Sequence, residues 1–252
     1  MDTTNPIVFY IGVGVIAFLV GLAKSGLGGL LGSLATPLMT LLIGADEALG
    51  LTLPILMIAD PFALAFNWRK WDWHLILWLL PGAIVGVTVG TYLITQAPTR
   101  VLQIIIGAIV LVFVLYKLAE SRILQAFQYE GKDWHGLVAG VITGIVSALA
   151  HIGSPPVSIY LLIRRVKSEV FVGTMVLFFL ILNWIKVPYY LAAGLFDWQL
   201  ILKILVVMPM VPLGAWTGRW LVSKVDQKTF EKIIIGALAL SAIVILVEAL
   251  AG

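Results

Sequence analysis

The sequence predicts an all-α polytopic membrane protein. It is read as two inverted-topology repeats of about five helical segments each, the first two of each repeat forming a short broken-helix hairpin. Three observations lead there. Of 252 residues, 61% are hydrophobic and only 12% charged, against about 25% charged in soluble domains, and the mean hydropathy is +1.08. The apolar residues form segments divided by short polar loops. Two stretches, 21–37 and 144–156, interrupt these segments with glycine, serine and proline, once in each half. In hydrocarbon, irregular backbone survives only inside protein or beside a water-filled cavity. A paired interruption of this kind points to a binding site between repeats.

Apolar segments run over 7–23, 30–44, 47–66, 74–95, 100–119, 137–150, 155–164, 170–195, 198–222 and 229–250. Crossing a bilayer core takes ~20 helical residues. The segments 47–66, 74–95, 100–119, 170–195, 198–222 and 229–250 reach that length, each read as one helix. The four around the interruptions are shorter, and 155–164 spans only about 15 Å. The start, Met1–Pro6, lacks the positive charge of a cleaved signal, so the first segment is expected as a retained helix.

The halves repeat one another. Trp71-Asp72-Trp73 matches Phe196-Asp197-Trp198; Pro81, Gly86 and Gly90 match Pro209, Gly214 and Gly218; Asn67-Trp68 echoes Asn183-Trp184. The boundaries predicted are 1–119 for the first repeat, 120–135 for a polar cytoplasmic linker and 136–252 for the second repeat. With each interruption a hairpin tip, one side collects Arg69, Lys70, Lys117, Arg122, Lys132, Arg164, Arg165, Lys167, Lys224, Lys228 and Lys232. With each interruption a kink in one crossing helix, the basic loops divide almost evenly. The positive-inside rule favours hairpins. Each half then crosses an odd number of times, so the halves are inverted.

The net charge of +3 sits in short loops, a topology signal that gives no reason to expect nucleic acid. The absence of cysteine excludes disulfides and thiolate chemistry. No histidine or carboxylate set has metal-ligand spacing, no cofactor motif or P-loop is present, and no acid is placed to orient His151 toward Ser147 as a hydrolase dyad. An enzyme is therefore not expected. The tryptophans gather at segment ends, as an interfacial belt does.

The candidate binding residues are those that could hold negative charge at depth. In the first interruption Lys24 and Ser25 precede Gly26, Gly28 and Gly29, where a helix start near 28–30 would offer N–H groups to an anion. Two readings of Lys24 stand open: an anion contact, or an anchor snorkelling to the surface. The glycines alone are also explained by close helix packing. In the second interruption Ser147, His151, Gly153 and Ser154 precede a helix start at Pro155-Pro156. His151 could donate to an oxyanion or carry a proton, or simply bond a carbonyl. Asn183 and Lys186 share a helix face beside Pro188, and Asn67 joins them through its echo of Asn183. Asp60 is a candidate proton carrier, as is His151; an ion pair with a lysine is the structural alternative.

Ser25-Gly26-Leu27-Gly28-Gly29 with Pro37, Ser147 through Pro156 followed by Tyr160-Leu161-Leu162, and Asn183-x-x-Lys186-x-Pro188-x-Tyr190 together resemble the TauE/SafE family of sulfite and organosulfonate exporters over nearly the whole chain. Ala148, Ala150, His151 and Ser154 depart from that pattern, which is richer in glycine there. The resemblance implies a multi-pass protein of the bacterial inner membrane that exports a small sulfur-containing oxyanion, with the lipid bilayer and that anion as its partners. The residues themselves fit a secondary transporter working by alternating access, a passive anion channel or, less well, a membrane-embedded enzyme. They leave the oligomeric state open.

Overall fold

The computed structural model describes residues 6–26, 34–126, 131–222 and 227–251. Among the described residues the regular structure is helical: α1 (Pro6–Gly26), α2 (Ala35–Ile43), α3 (Ala45–Phe66), α4 (Trp73–Gln96), α5 (Thr99–Ala126), α6 (Trp134–Ala150), α7 (Ser154–Ile163), α8 (Ser168–Ala192), α9 (Trp198–Ile204), α10 (Met210–Val222) and α11 (Gln227–Ala251). Of these, α1, α3, α4, α5, α8 and α11 are long and apolar enough to cross a membrane, whereas α6 and α7 are shorter.

One sequence expectation needs correction. The segment 198–222 is two helices. Asp197 caps α9 by accepting from the N–H groups of Gln199 (2.8 Å) and Leu200 (3.1 Å). The chain then passes through short-range bonds such as Val207 N–H to the Ile204 carbonyl (3.0 Å). Pro209, with no N–H and a ring that crowds the Leu205 carbonyl, accounts for the end of regular α-helix there. The second helix of the first hairpin is described from Ala35, and the helix start expected near 28–30 lies outside the described residues. Helix α5 runs on to Ala126, into the first residues of the stretch 120–135.

Each interruption is a hairpin, and the ends of each hairpin meet. In the first, Leu42 near the end of α2 packs against Gly12 of α1. In the second, the Gly131 N–H donates to the Ile163 carbonyl (3.0 Å). Arg164 donates to the Gly131 carbonyl (2.8 Å) and pairs with Asp133 (2.9 Å). The basic α3–α4 and α7–α8 turns lie on that same end, where Lys70 faces Glu169 at 3.8 Å and His74 faces Asp133 at 3.1 Å. The opposite end gathers Asp46 with Thr99 (2.6 Å), Arg100 on the Ala249 carbonyl (2.7 Å), and Gly50 against Leu195.

The two halves are packed into each other reciprocally. Helix α4 lies along α6, and α10 lies along α1. Both crossings are so close that backbone touches backbone. A Cβ on Gly144 would strike the Ala83 carbonyl, and one on Gly86 the Val141 carbonyl. At the other crossing, a Cβ on Gly21 would strike the Val211 carbonyl, and one on Gly214 the Phe18 carbonyl. Without a hydrophobic force between helices in lipid, small residues that admit such approach supply the dispersion contacts that hold them together. Trp68, Trp73, Trp134 and Trp198 are exposed at helix ends, as an interfacial belt requires.

Gly144→Val should therefore destabilise the protein by about 1–3 kcal/mol through overpacking. Gly236→Ala, whose new methyl meets no atom within 4 Å, should be neutral or stabilising by up to about 1 kcal/mol. Thermal unfolding of the detergent-solubilised variants compares the two.

Candidate functional site

The end of α1, the start of α2 and the turn between α6 and α7 converge on the midsections of α3 and α8. Thr36, in the first turn of α2, joins its Oγ1 to Nδ1 of His151 at 3.3 Å. His151 ends α6 in the left-handed conformation (φ 56°), a geometry more often taken by glycine or asparagine. Its N–H closes the helix on the Ser147 carbonyl (3.0 Å). The Tyr190 hydroxyl donates to the Ala148 carbonyl at 2.6 Å, satisfying one of the carbonyls that a helix end leaves open. The Tyr190 ring meets the His151 ring edge-on at 6.0 Å. Gly153 precedes α7, and its carbonyl accepts from Thr143 Oγ1 (3.2 Å). Pro155 and Pro156 occupy the first turn of α7, as expected. They also delete two donors there, so the helix start offers fewer N–H groups than a cradle of backbone amides would need.

Ionisable groups cluster beneath the tips. Lys24 of α1 pairs with Asp60 Oδ1 and also donates to the Leu56 carbonyl (3.3 Å). Asn183 of α8 donates its Nδ2 to Asp60 Oδ2 at 2.7 Å. One turn on, Lys186 donates to Ser147 Oγ at 3.2 Å. Lys24, Asp60, Ser147, His151, Ser154, Asn183 and Lys186 are all buried, and Lys186 is 0% exposed. The two lysines differ in their partners. Lys24 has a carboxylate, whereas Lys186 forms no ion pair among the described residues and donates to a neutral hydroxyl. His151 Nε2 is buried without a hydrogen-bond partner. A buried ammonium without a counterion and a buried imidazole nitrogen without a partner are both costly. Each cost would fall on contact with an oxyanion, which accepts from both kinds of donor.

The anchor alternative for Lys24 is set aside by its burial and its pairing with Asp60. Asn67 does not join the cluster. It caps the end of α3, with its Nδ2 on the Ala63 carbonyl (2.9 Å). The structural counterpart of Asn183 is Asp60. The two stand equally far from the starts of their helices, Ala45 and Ser168, and they bond to each other. Gly21, Lys24 and Asp60 also have the same spacing as Gly144, Ser147 and Asn183, a signal that locates the cluster from sequence. Thr36 was not singled out in advance, and nothing but its place in the interrupted stretch marks it. Ser25 and Gly26 fall in the last turn of α1, while Gly28 and Gly29 lie outside the described residues. Among the described residues no group of three His, Asp or Glu side chains could hold a metal ion.

A family model described as "Sulfite exporter TauE/SafE" matches residues 13–245. The chain belongs to the TauE/SafE family. The match takes in every residue of the buried cluster and both glycine crossings. No curated protein and no solved structure matches the chain. TauE/SafE membership, together with six membrane-length apolar helices, makes this a multi-pass membrane protein of a transport family.

If Lys24 and Asp60 are held as a pair, removing one member should cost more than removing both. Asp60→Ala should destabilise by about 3–5 kcal/mol, because it leaves a buried ammonium uncompensated. Lys24→Met combined with Asp60→Leu should recover most of that loss. A double-mutant cycle on thermal or denaturant midpoints measures the coupling.

Proposed function

We propose that this protein is a secondary transporter that exports a small sulfur-containing oxyanion, sulfite or an organosulfonate, across the bacterial inner membrane by alternating access. The observation that carries the reading is the fully buried Lys186, which contacts no carboxylate among the described residues, beside Ser147 and near His151, whose Nε2 has no hydrogen-bond partner. Lys186 and His151 Nε2 would donate to the anion's oxygens, with Ser147, Ser154 and the first turns of α2 and α7 around it. Lys24 would contribute charge from the opposite hairpin. Family membership supports the sulfur-oxyanion class.

The transport mechanism rests on symmetry. We read residues 1–119 and 136–252 as inverted repeats joined through 120–135. Three features support this: the reciprocal α4–α6 and α10–α1 packing, the equal spacing of Gly21, Lys24 and Asp60 with Gly144, Ser147 and Asn183, and one hairpin plus an odd number of crossings in each half. The end bearing Arg69, Lys70, Lys132, Arg164 and Lys167 is placed in the cytoplasm, where positive loops are retained. One repeat rocking against the other would expose the central cluster to each side in turn.

Two outcomes check this reading. In proteoliposomes the protein should show sulfite counterflow, as a carrier does and a channel does not. Lys186→Gln should reduce that flux at least about tenfold, the loss of one charge-assisted hydrogen bond to the anion; unchanged flux would move the site elsewhere. For sidedness, the cysteine-free sequence allows single labels. In intact cells an impermeant maleimide should modify Thr99→Cys but leave Lys132→Cys unmodified, and the reverse pattern would invert the assigned orientation.

A further inference from the structure

Asp60 is the only buried carboxylate among the described residues, and both of its oxygens are held: Oδ1 by Lys24, Oδ2 by Asn183. Its counterpart in the second half, Asn183, is a neutral amide of nearly the same shape. Both oxygens accept, one from Lys24 and one from Asn183, whereas an asparagine at 60 could accept on one side only and would turn amide N–H groups toward the other donor. Loss of the carboxylate alone would also leave the Lys24 ammonium uncompensated. What the carboxylate adds is one negative charge. Lys24 and Asp60 offset one another as a pair, and Lys186 brings the one further buried lysine, which no carboxylate contacts among the described residues. Arg219 of α10 sits over Phe66 at the far end of α3 and stays out of the sum.

We propose that Asp60 is a specificity-determining residue: it fixes the central site at one net positive charge, so that the site takes monovalent oxyanions, such as a sulfonate or hydrogensulfite, over divalent ones, such as sulfate or thiosulfate. The inference rests on the anion-site reading above. A monovalent anion neutralises the cluster. A divalent one leaves an unmatched negative charge away from water, where a single unpaired charge is costly. At a separation of a few ångströms a unit charge acts strongly even in partly screened surroundings, so the carboxylate need not touch the anion to select it.

Isothermal titration of the purified protein with methanesulfonate, sulfite, sulfate and thiosulfate tests this, alongside Asp60→Asn, which raises the site to two net positive charges. The wild type should bind methanesulfonate at least about tenfold more tightly than sulfate or thiosulfate, a step worth 1.4 kcal/mol. Folded Asp60→Asn should shift that ratio at least about tenfold toward the divalent anions. Equal or tighter binding of divalent anions by the wild type overturns the inference, and so does an unchanged ratio in folded Asp60→Asn. If the variant does not fold, the wild-type comparison decides alone. Binding with the wrong charge preference counts against this inference only, whereas no binding of any of the four anions overturns the functional reading together with it.

Discussion

Lys24 and Asp60 meet at a depth where neither ion is tolerable alone, and this contact organises what surrounds it. It ties α1 to α3, and through Asn183 it ties α3 to α8. The first hairpin and the second half are thereby joined by side chains rather than by apolar packing alone. Lys186, one turn from Asn183, is left with a hydroxyl for company. A membrane protein retains such a group when it has work for it, since an uncompensated ammonium in a low-dielectric interior is expensive. The geometry thus separates one cation paired with a carboxylate, which braces the helices, from one that no carboxylate contacts among the described residues, to which we assign the anion.

The glycine crossings explain how this centre is held and also how it could move. At α4–α6 and α1–α10 the backbones touch, with carbonyls resting against Gly82, Gly86, Gly140 and Gly144 on one side and Gly21, Gly214 and Gly218 on the other. Each crossing joins a helix of one half to a hairpin helix of the other. Motion of one half would carry the partner's hairpin with it, moving the tips as units with α4 and α10. The apolar clusters follow the same division. One surrounds α1, α2, α3 and the α9–α10 region, another surrounds α4, α6, α7 and α8, and a third runs along α5 and α11.

Much of this was legible in the chain because hydrocarbon leaves few options. The apolar segments, the hairpin interruptions and the basic end each follow from a single strong constraint on backbone or charge. The misplaced details concern effects without that strength. Pro209 coincides with a break between α9 and α10, whereas Pro81 stands within an intact α4: a proline removes one helical hydrogen bond wherever it falls, and the surrounding packing decides whether the helix continues. Asn67 was paired with Asn183 because the dipeptides match, yet Asn67 finishes a helix while Asn183 sits in the middle of one. Position within the helix, not identity, relates Asn183 to Asp60. Lys24, Ser147, His151 and Lys186 could be chosen from sequence because polar groups at depth are rare. That Lys24 is paired and Lys186 is not required the three-dimensional arrangement.

The central claim is that an oxyanion sits between the tips, on Lys186 and His151. Selenite, a heavier analogue of sulfite, makes this directly visible through anomalous diffraction from crystals of the protein soaked or grown with it. The account predicts a selenium peak within hydrogen-bonding reach of Lys186 Nζ and His151 Nε2, below the start of α7. A peak only among the surface arginines and lysines, or an occupied interior site that touches neither group, would contradict it.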